Sequence, residues 1–399
     1  MQRVLLLLST VFALYACTGT VPHKPEEEKP AAAAAKQPSA EAIVATPPAA
    51  LESKALPAPP VLPTVKPFPH IALLLPLQSP VFGPAADAVQ QGFMAAINPK
   101  RLLLPVRVYS NFDENSGVVA IYRQAIANGA RAVVGPLTRN GVSALAAEKD
   151  IPVPTLALNI AEGQPAKQLY FFGLSVEAEA RQAAQLAKQQ GLHQAIIITT
   201  RSQLSQRMQA AFEEEWSGPG RGILREIEFN DDSAVFADIA DITDTTVFLA
   251  ADAAKARLIR PYLPNKLPIY ATSQIFVGND NTLTNYDLNG IRFVDMPWLL
   301  QPDHPAVMIY PRVSPPLSID RERLYALGID SFRLIQLLLS DKVASALPLD
   351  GVTGQIELSG HTFQRSPISA MFVQGRAQLP NMPAAQTPPI FPDRNFNTP

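Results

Sequence analysis

Ile71-Ala72-Leu73-Leu74-Leu75 is an unbroken apolar run closed by Pro76. A strand with one wet face alternates apolar and polar residues. An unbroken run instead predicts a strand buried on both faces, as in a parallel sheet covered by helices. The chain downstream agrees. Residues 85–97 predict a helix with Ala88, Val89, Phe93, Ala96 and Ile97 on one stripe. Residues 106–109 predict a second strand, and 117–128 a helix that stops near Gly129. A strand over 132–135, a helix over 140–148 and a strand over 153–158 complete one βαβα set.

The rhythm then repeats. Ser175 is a predicted N-cap, with Glu177 and Glu179 in the first turn where the helix dipole favours acid. That helix ends near Gly191. Thr200 with Gln203 predicts a capping box for a helix through Trp216. Strands follow over 195–199, 223–229, 246–250 and 268–271, with a helix over 252–260. Asp320 is the predicted cap of a long helix to Leu339, and 354–358 with 369–373 predict a closing hairpin. The fold class is therefore α/β, with two doubly wound lobes facing a cleft. Ligands of such sheets sit at the carboxyl ends of the strands. Ser79, Gly135, Leu137, Thr138, Asn159 and Ser273 stand at those ends and are the candidate cleft-lining residues.

The 399 residues predict two or three domains by length alone. With 33 basic and 35 acidic residues the net charge is −2, which excludes a strongly basic nucleic-acid binder. The single cysteine excludes an intrachain disulfide and a Cys-rich zinc site. It is Cys17, preceded by Arg3 and the apolar runs 4–8 and 11–16, which describes a secretory signal peptide. Together they fall short of the roughly 20 apolar residues that span a membrane. Leu14-Tyr15-Ala16-Cys17 resembles the bacterial lipobox, in which the cysteine is acylated and becomes the mature N-terminus. Thr18, in place of an Asp, points to the outer membrane.

Twelve of the 39 prolines lie between Pro22 and Pro69, amid alanine and almost no aromatics. Such a segment cannot bury enough apolar surface to offset its ordering entropy. The expected organisation is a signal peptide over 1–16, a lipidated and disordered Pro/Ala tether over 17–69, a bilobed domain over 70–378 and a loose tail over 379–399. Lobe 1 is expected over 70–174 plus 300–347, and lobe 2 over 175–299 plus 348–378. The tether would reach roughly 40 Å as a coil and ~150 Å when extended.

Catalytic motifs are missing. His23, His70, His193, His304 and His361 have no metal-ligand spacing. Gly141-Val142-Ser143-Ala144-Leu145 fails the nucleophile-elbow pattern at its last position, and no phosphate-binding glycine motif occurs. Neither a metal nor a cofactor is expected, and no catalytic residue is assigned. Glu213-Glu214-Glu215 reads as a solvated patch, and Trp298 as a packing residue before a partner anchor.

Several stretches resemble the LppC/LpoA lipoproteins, the penicillin-binding protein activators. They are 71–77, Gln91-Gly92-Phe93, Val133-Val134-Gly135-Pro136-Leu137, 154–159, Phe172-Gly173-Leu174-Ser175, Ala326-Leu327-Gly328-Ile329-Asp330 and Thr353-Gly354-Gln355-Ile356. The resemblance implies a type 1 periplasmic-binding-protein fold. It also implies an outer-membrane lipoprotein that reaches through the peptidoglycan and stimulates a class A penicillin-binding protein without being an enzyme. Long members carry a helical-repeat domain where this chain has its tether, so a short form is expected. The expected partners are the synthase, the membrane through the lipid, and peptidoglycan. The competing expectation is a lipid-anchored solute-binding protein that serves an amino acid or peptide transporter. An open polar cleft would favour that alternative, and a cleft filled by the protein's own side chains would favour the activator.

Overall fold

Apolar runs become central strands wherever helices can cover both faces. The computed structural model describes residues 67–97, 103–110, 117–240 and 242–380. The expected signal peptide, Cys17, the expected tether up to residue 66 and the expected tail from Asn381 lie outside the described residues.

The chain first builds β1 (His70–Leu75), α1 (Gly83–Ala95), β2 (Val106–Ser110), α2 (Val118–Ala127), β3 (Ala130–Val134), α3 (Arg139–Ala146), β4 (Thr155–Ala157) and β5 (Leu169–Phe172). It then crosses to the second lobe. There it builds α4 (Val176–Gln189), β6 (Gln194–Thr200), α5 (Gln203–Trp216), β7 (Gly222–Phe229), β8 (Thr245–Leu249), α6 (Ala253–Ile259), β9 (Ile269–Ala271), the short α7 (Thr282–Asn285) and β10 (Ile291–Asp295). Short helices α8 (Pro297–Leu300) and α9 (Pro305–Met308) lead back to α10 (Ile319–Leu339) and α11 (Val343–Ala346). β11 (Leu349–Gly351), β12 (Gly354–Ser359) and β13 (Thr362–Ser366) follow, and then β14 (Ile368–Val373) and β15 (Arg376–Gln378). No helix among the described residues is long and apolar enough to cross a membrane.

Two sheets result. Lobe 1 has the order β11-β12-β13-β5-β4-β3-β1-β2, and lobe 2 the order β15-β14-β10-β9-β8-β6-β7. Each is parallel through its centre and becomes antiparallel at one end. β1 shows why its run is unbroken: residues 71 to 75 are all fully buried. Ile71, Leu73 and Leu75 face Val89 and Phe93 of α1, while Ala72 and Leu74 face Val118, Tyr122 and Val142 on the other side.

Three expectations need correction. The segment 348–378 was assigned to lobe 2, but β11, β12 and β13 belong to the lobe 1 sheet and the chain crosses only at Pro367. For the same reason 354–358 and 369–373 do not form a hairpin: β12 pairs with β13, and β14 with β10. The cause is Asp330 of α10, which holds the turn between β11 and β12. It accepts from the backbone N–H of Val352 at 3.2 Å and of Thr353 at 2.8 Å, and from the Thr353 hydroxyl at 2.7 Å. The caps also differ. Ser202, not Thr200, accepts from Ser205 N–H at the head of α5. Ser318 precedes α10, and Asp320 lies in its first turn.

α1 and α10 pack at the distance glycine permits. A Cβ on Gly92 would stand 1.8 Å from the Tyr325 carbonyl oxygen, and one on Gly328 would stand 2.1 Å from that of Val89. The backbones therefore touch, and neither oxygen belongs to a flexible side chain. Gly328→Ala must part the two helices. We expect it to lower unfolding free energy by about 1–3 kcal/mol or more in urea titrations, as overpacked cores do. The exposed Gln189→Ala should leave it unchanged. A neutral Gly328→Ala would refute the close contact.

Candidate functional site: the junction between the lobes

The candidate residues at the strand ends are held in turns and caps. Ser79 follows β1; its hydroxyl accepts from Phe82 N–H at 3.2 Å and its carbonyl from Gly83 N–H at 2.8 Å. Gly135 has φ of +105°, and a Cβ there would stand 1.9 Å from the Leu74 carbonyl oxygen. Its close backbone approach is thus to its own sheet. Thr138 is the N-cap of α3 and accepts from Gly141 N–H at 3.1 Å. Asn159 donates to the Leu137 carbonyl at 3.3 Å and so ties the end of β4 to the end of β3. Gly135, Leu137, Thr138 and Asn159 therefore form one group on lobe 1. Ser273 lies on lobe 2, after β9.

What spans the lobes is charge. Arg323 leaves α10, which packs on lobe 1, and reaches into lobe 2. Its Nη2 donates to Asp295 of β10 at 2.7 Å, to the Ser273 carbonyl at 2.9 Å and to the Phe276 carbonyl at 2.8 Å. Its Nη1 donates to Asp320 at 2.7 Å. Burial pushes the Arg323 guanidinium down, but Asp295, Glu179 and Asp320 outweigh it and hold it above its ordinary range. A second pair crosses in the same sense, cation from lobe 1 and carboxylate from lobe 2. Glu179 of α4 accepts from Arg365 of β13 and from Ser273 N–H, the latter at 3.0 Å. Glu179 and Arg365 are both buried.

A third bridge is less enclosed. Glu177 of α4 takes Arg139 of α3 from lobe 1 at 2.8 Å and Arg207 of α5 from lobe 2 at 2.5 Å. Burial alone would raise its carboxyl. Its own backbone N–H, Arg139, Arg207 and Ser175 more than offset that and bring it from an ordinary 4.5 to about 2.

Sequence reading placed Glu177 and Glu179 in a helix first turn but gave them no partners. The signal for Arg323 was present. Arg323, Ala326, Leu327 and Asp330 stand at i, i+3, i+4 and i+7, so two opposite charges lie on one buried face of α10. The remaining chemistry is structural. Trp298 is fully buried, donates to Glu322 at 2.6 Å and carries the Arg312 guanidinium 3.6 Å from its ring centre. Glu213, Glu214 and Glu215 are engaged by Gln209, Arg181 and Lys188, so the run is paired rather than simply solvated. His70 bonds Tyr109, His193 bonds Asp244, and His361 bonds the Leu169 carbonyl. No metal-binding cluster of His, Cys, Asp and Glu occurs among the described residues.

Two outcomes follow from this junction. Arg323→Met leaves Asp295 buried without its cation and should cost about 3–5 kcal/mol in urea unfolding, much of it regained in Arg323→Met/Asp295→Leu. A single-variant cost below about 1 kcal/mol would refute the strut. The Glu177 carboxyl is lower in the folded protein, so its stabilisation is complete above pH 4.5 and is lost as pH falls toward about 2. Glu177→Gln should therefore converge with the parent protein across that window when stability is measured against pH.

Known proteins place this architecture. The family profile described as "LppC putative lipoprotein" matches residues 38–244 and 240–365. A Photobacterium profundum protein named penicillin-binding protein activator LpoA is 29% identical over 327 residues, which cover 72% of this chain and 53% of that protein. The chain spans about half the length of the curated relatives it matches. Among solved structures, the LpoA C-domain from Haemophilus influenzae, described as a regulator of PBP1A, is 25% identical with a TM-score of 0.63. It covers 77% of this chain, and 98% of its own length is matched. A Chromobacterium violaceum structure described as a "putative branched-chain amino acid ABC transporter" is 37% identical with a TM-score of 0.65, over 76% of this chain and 99% of its own. The profile match covers most of the chain, and the chain belongs to the LppC lipoprotein family.

Proposed function

We propose that this protein is a lipid-anchored, non-enzymatic activator that binds a class A penicillin-binding protein at the periplasmic face of the outer membrane. The observation that carries this reading is the match to nearly the whole of the LpoA C-domain, the part of that protein with the same two lobes. The curated relatives named as activators support the same partner class. In this reading Cys17 carries the lipid and the Pro/Ala segment supplies the reach. Residues 70–378 present the surface that meets the synthase, and peptidoglycan is the matrix that surrounds it. Ser79, Gly135, Leu137, Thr138, Asn159 and Ser273 line a cleft that maintains shape. Activation is then a shift of the synthase toward its active state through contacts made only there.

The second reading is a solute-binding protein for an amino acid or peptide transporter, favoured by the Chromobacterium violaceum structure and its description. The fold alone cannot choose, because one scaffold carries many functions. The Arg139–Glu177 and Arg323–Asp295 bridges weigh against it, since they occupy the junction that a clamping ligand would use.

The deciding experiment pairs the chain with the class A synthase of the same organism. Co-precipitation and a faster rate of glycan polymerisation at micromolar protein are expected. Neither binding nor a rate change would sink the activator reading, and a raised melting temperature with a free amino acid would favour the alternative.

A further inference from the structure

A groove of about 630 Å³ opens beside the cleft, between the outer side of α4 and strand β13. Ser79, Thr138, Asn159 and Ser273 do not line it. One wall is the stripe Ala178, Gln182, Gln185 and Gln189 of α4, spaced to share a helix face. The other is Thr362, Gln364 and Ser366, alternate residues on one face of β13.

Four side-chain carboxamides therefore meet across the groove. Gln182 donates to the Pro367 carbonyl at 2.7 Å. The carboxamides of Gln185, Gln189 and Gln364 are exposed and bond no other side chain or backbone group among the described residues. A carboxamide offers an acceptor and two donors, which matches the N–H and C=O of a peptide unit. We propose that this groove binds an extended, uncharged peptide segment of about five residues. The length follows from the wall: 178 to 189 covers about 16 Å at 1.5 Å per residue, and an extended chain rises about 3.3 Å per residue.

The lining decides against other ligands. The arginines Arg139, Arg181 and Arg365 are engaged by Glu177, Glu214 and Glu179, and the lining carboxylate Glu162 offsets the second arginine, Arg207, that shares Glu177, so no net positive charge awaits a polyanion. The only aromatic in the wall is Phe363, which is 2% exposed, so no ring is offered for stacking a sugar. Small residues, Ala161 and Ala178, leave room for a backbone to lie close. This site does not rest on the activator reading.

The test uses the full chain and an alanine pentapeptide, with free ends and with acetyl and amide caps, at roughly 10 mM, above the millimolar Kd expected of so short a chain. Two-dimensional NMR follows the side-chain NH₂ signals of Gln185, Gln189 and Gln364. They should move saturably, and Gln185→Ala/Gln189→Ala/Gln364→Ala should weaken binding about tenfold or more. The capped peptide, an uncharged chain segment, should bind at least as tightly as the free one, and a preference for the charged free ends would overturn the proposal. Should the triple variant lose its fold, the three single variants carry the comparison. Unmoved signals, or binding equal in variant and parent, would overturn the proposal. So would movement by a tetramer of N-acetylglucosamine in place of the peptide.

Discussion

Arg323 starts on a helix packed against lobe 1 and ends among the oxygens of Asp295, Ser273 and Phe276 in lobe 2. Everything else at the junction is arranged around that reach. A buried ion pair adds little net stability compared with an apolar pair of the same shape, but separating its members is expensive. Rotating the lobes apart would strand Asp295 and two carbonyls without a donor. Seven residues further along the same helix, Asp330 fixes the β11–β12 turn, and Gly92 and Gly328 let α1 and α10 touch. One helix thus sets the position of both sheets.

This gives a physical meaning to the stretches that carry the family resemblance. Gln91-Gly92-Phe93 and Ala326-Leu327-Gly328 are the two sides of one backbone contact. Asp330 and Thr353, from two further stretches, are hydrogen-bonded to each other. Gly135 is pressed against Leu74 within the sheet. The resemblance therefore marks how lobe 1 is packed, while the bridges of Arg323, Glu179 and Glu177 hold lobe 2 to it. A two-lobed clamp cross-braced in this way suits a protein that presents a fixed face.

The layered α/β class was legible because long strands and helices each bury a face with its own period. β1, β6 and α4 follow that rule closely. Two strands escaped it: Ile291–Asp295 carries the charges Arg292 and Asp295, the latter buried only because Arg323 meets it, and Leu169–Phe172 is an apolar run whose periodicity alone does not separate strand from helix. β13, Thr-Phe-Gln-Arg-Ser, alternates in burial but not in polarity, because its second buried residue is Arg365. Which sheet a strand joins is not written in its own alternation at all. It was decided by Asp330, a charge that sequence reading saw only as part of a family stretch. The site was less legible than the fold for a related reason. Arg139, Glu177 and Arg365 acquire meaning only through partners distant in the chain, whereas Ser79 and Thr138 advertised themselves by position and serve locally, in a turn and a helix cap.

The backbone passes between the lobes three times: after β5, between β10 and α10, and at Pro367. Neither lobe is a contiguous stretch. β5 receives its parallel neighbour β13 only after nearly two hundred further residues have been made, as Phe171 pairs with Thr362. Such long-range pairing raises contact order and slows folding. A chain emerging from its amino end therefore cannot complete lobe 1 before lobe 2 is almost wholly synthesised. The two halves must be finished together, and truncation from the carboxyl end takes β14 and β15 from the lobe 2 sheet and, once past Pro367, β13 from that of lobe 1.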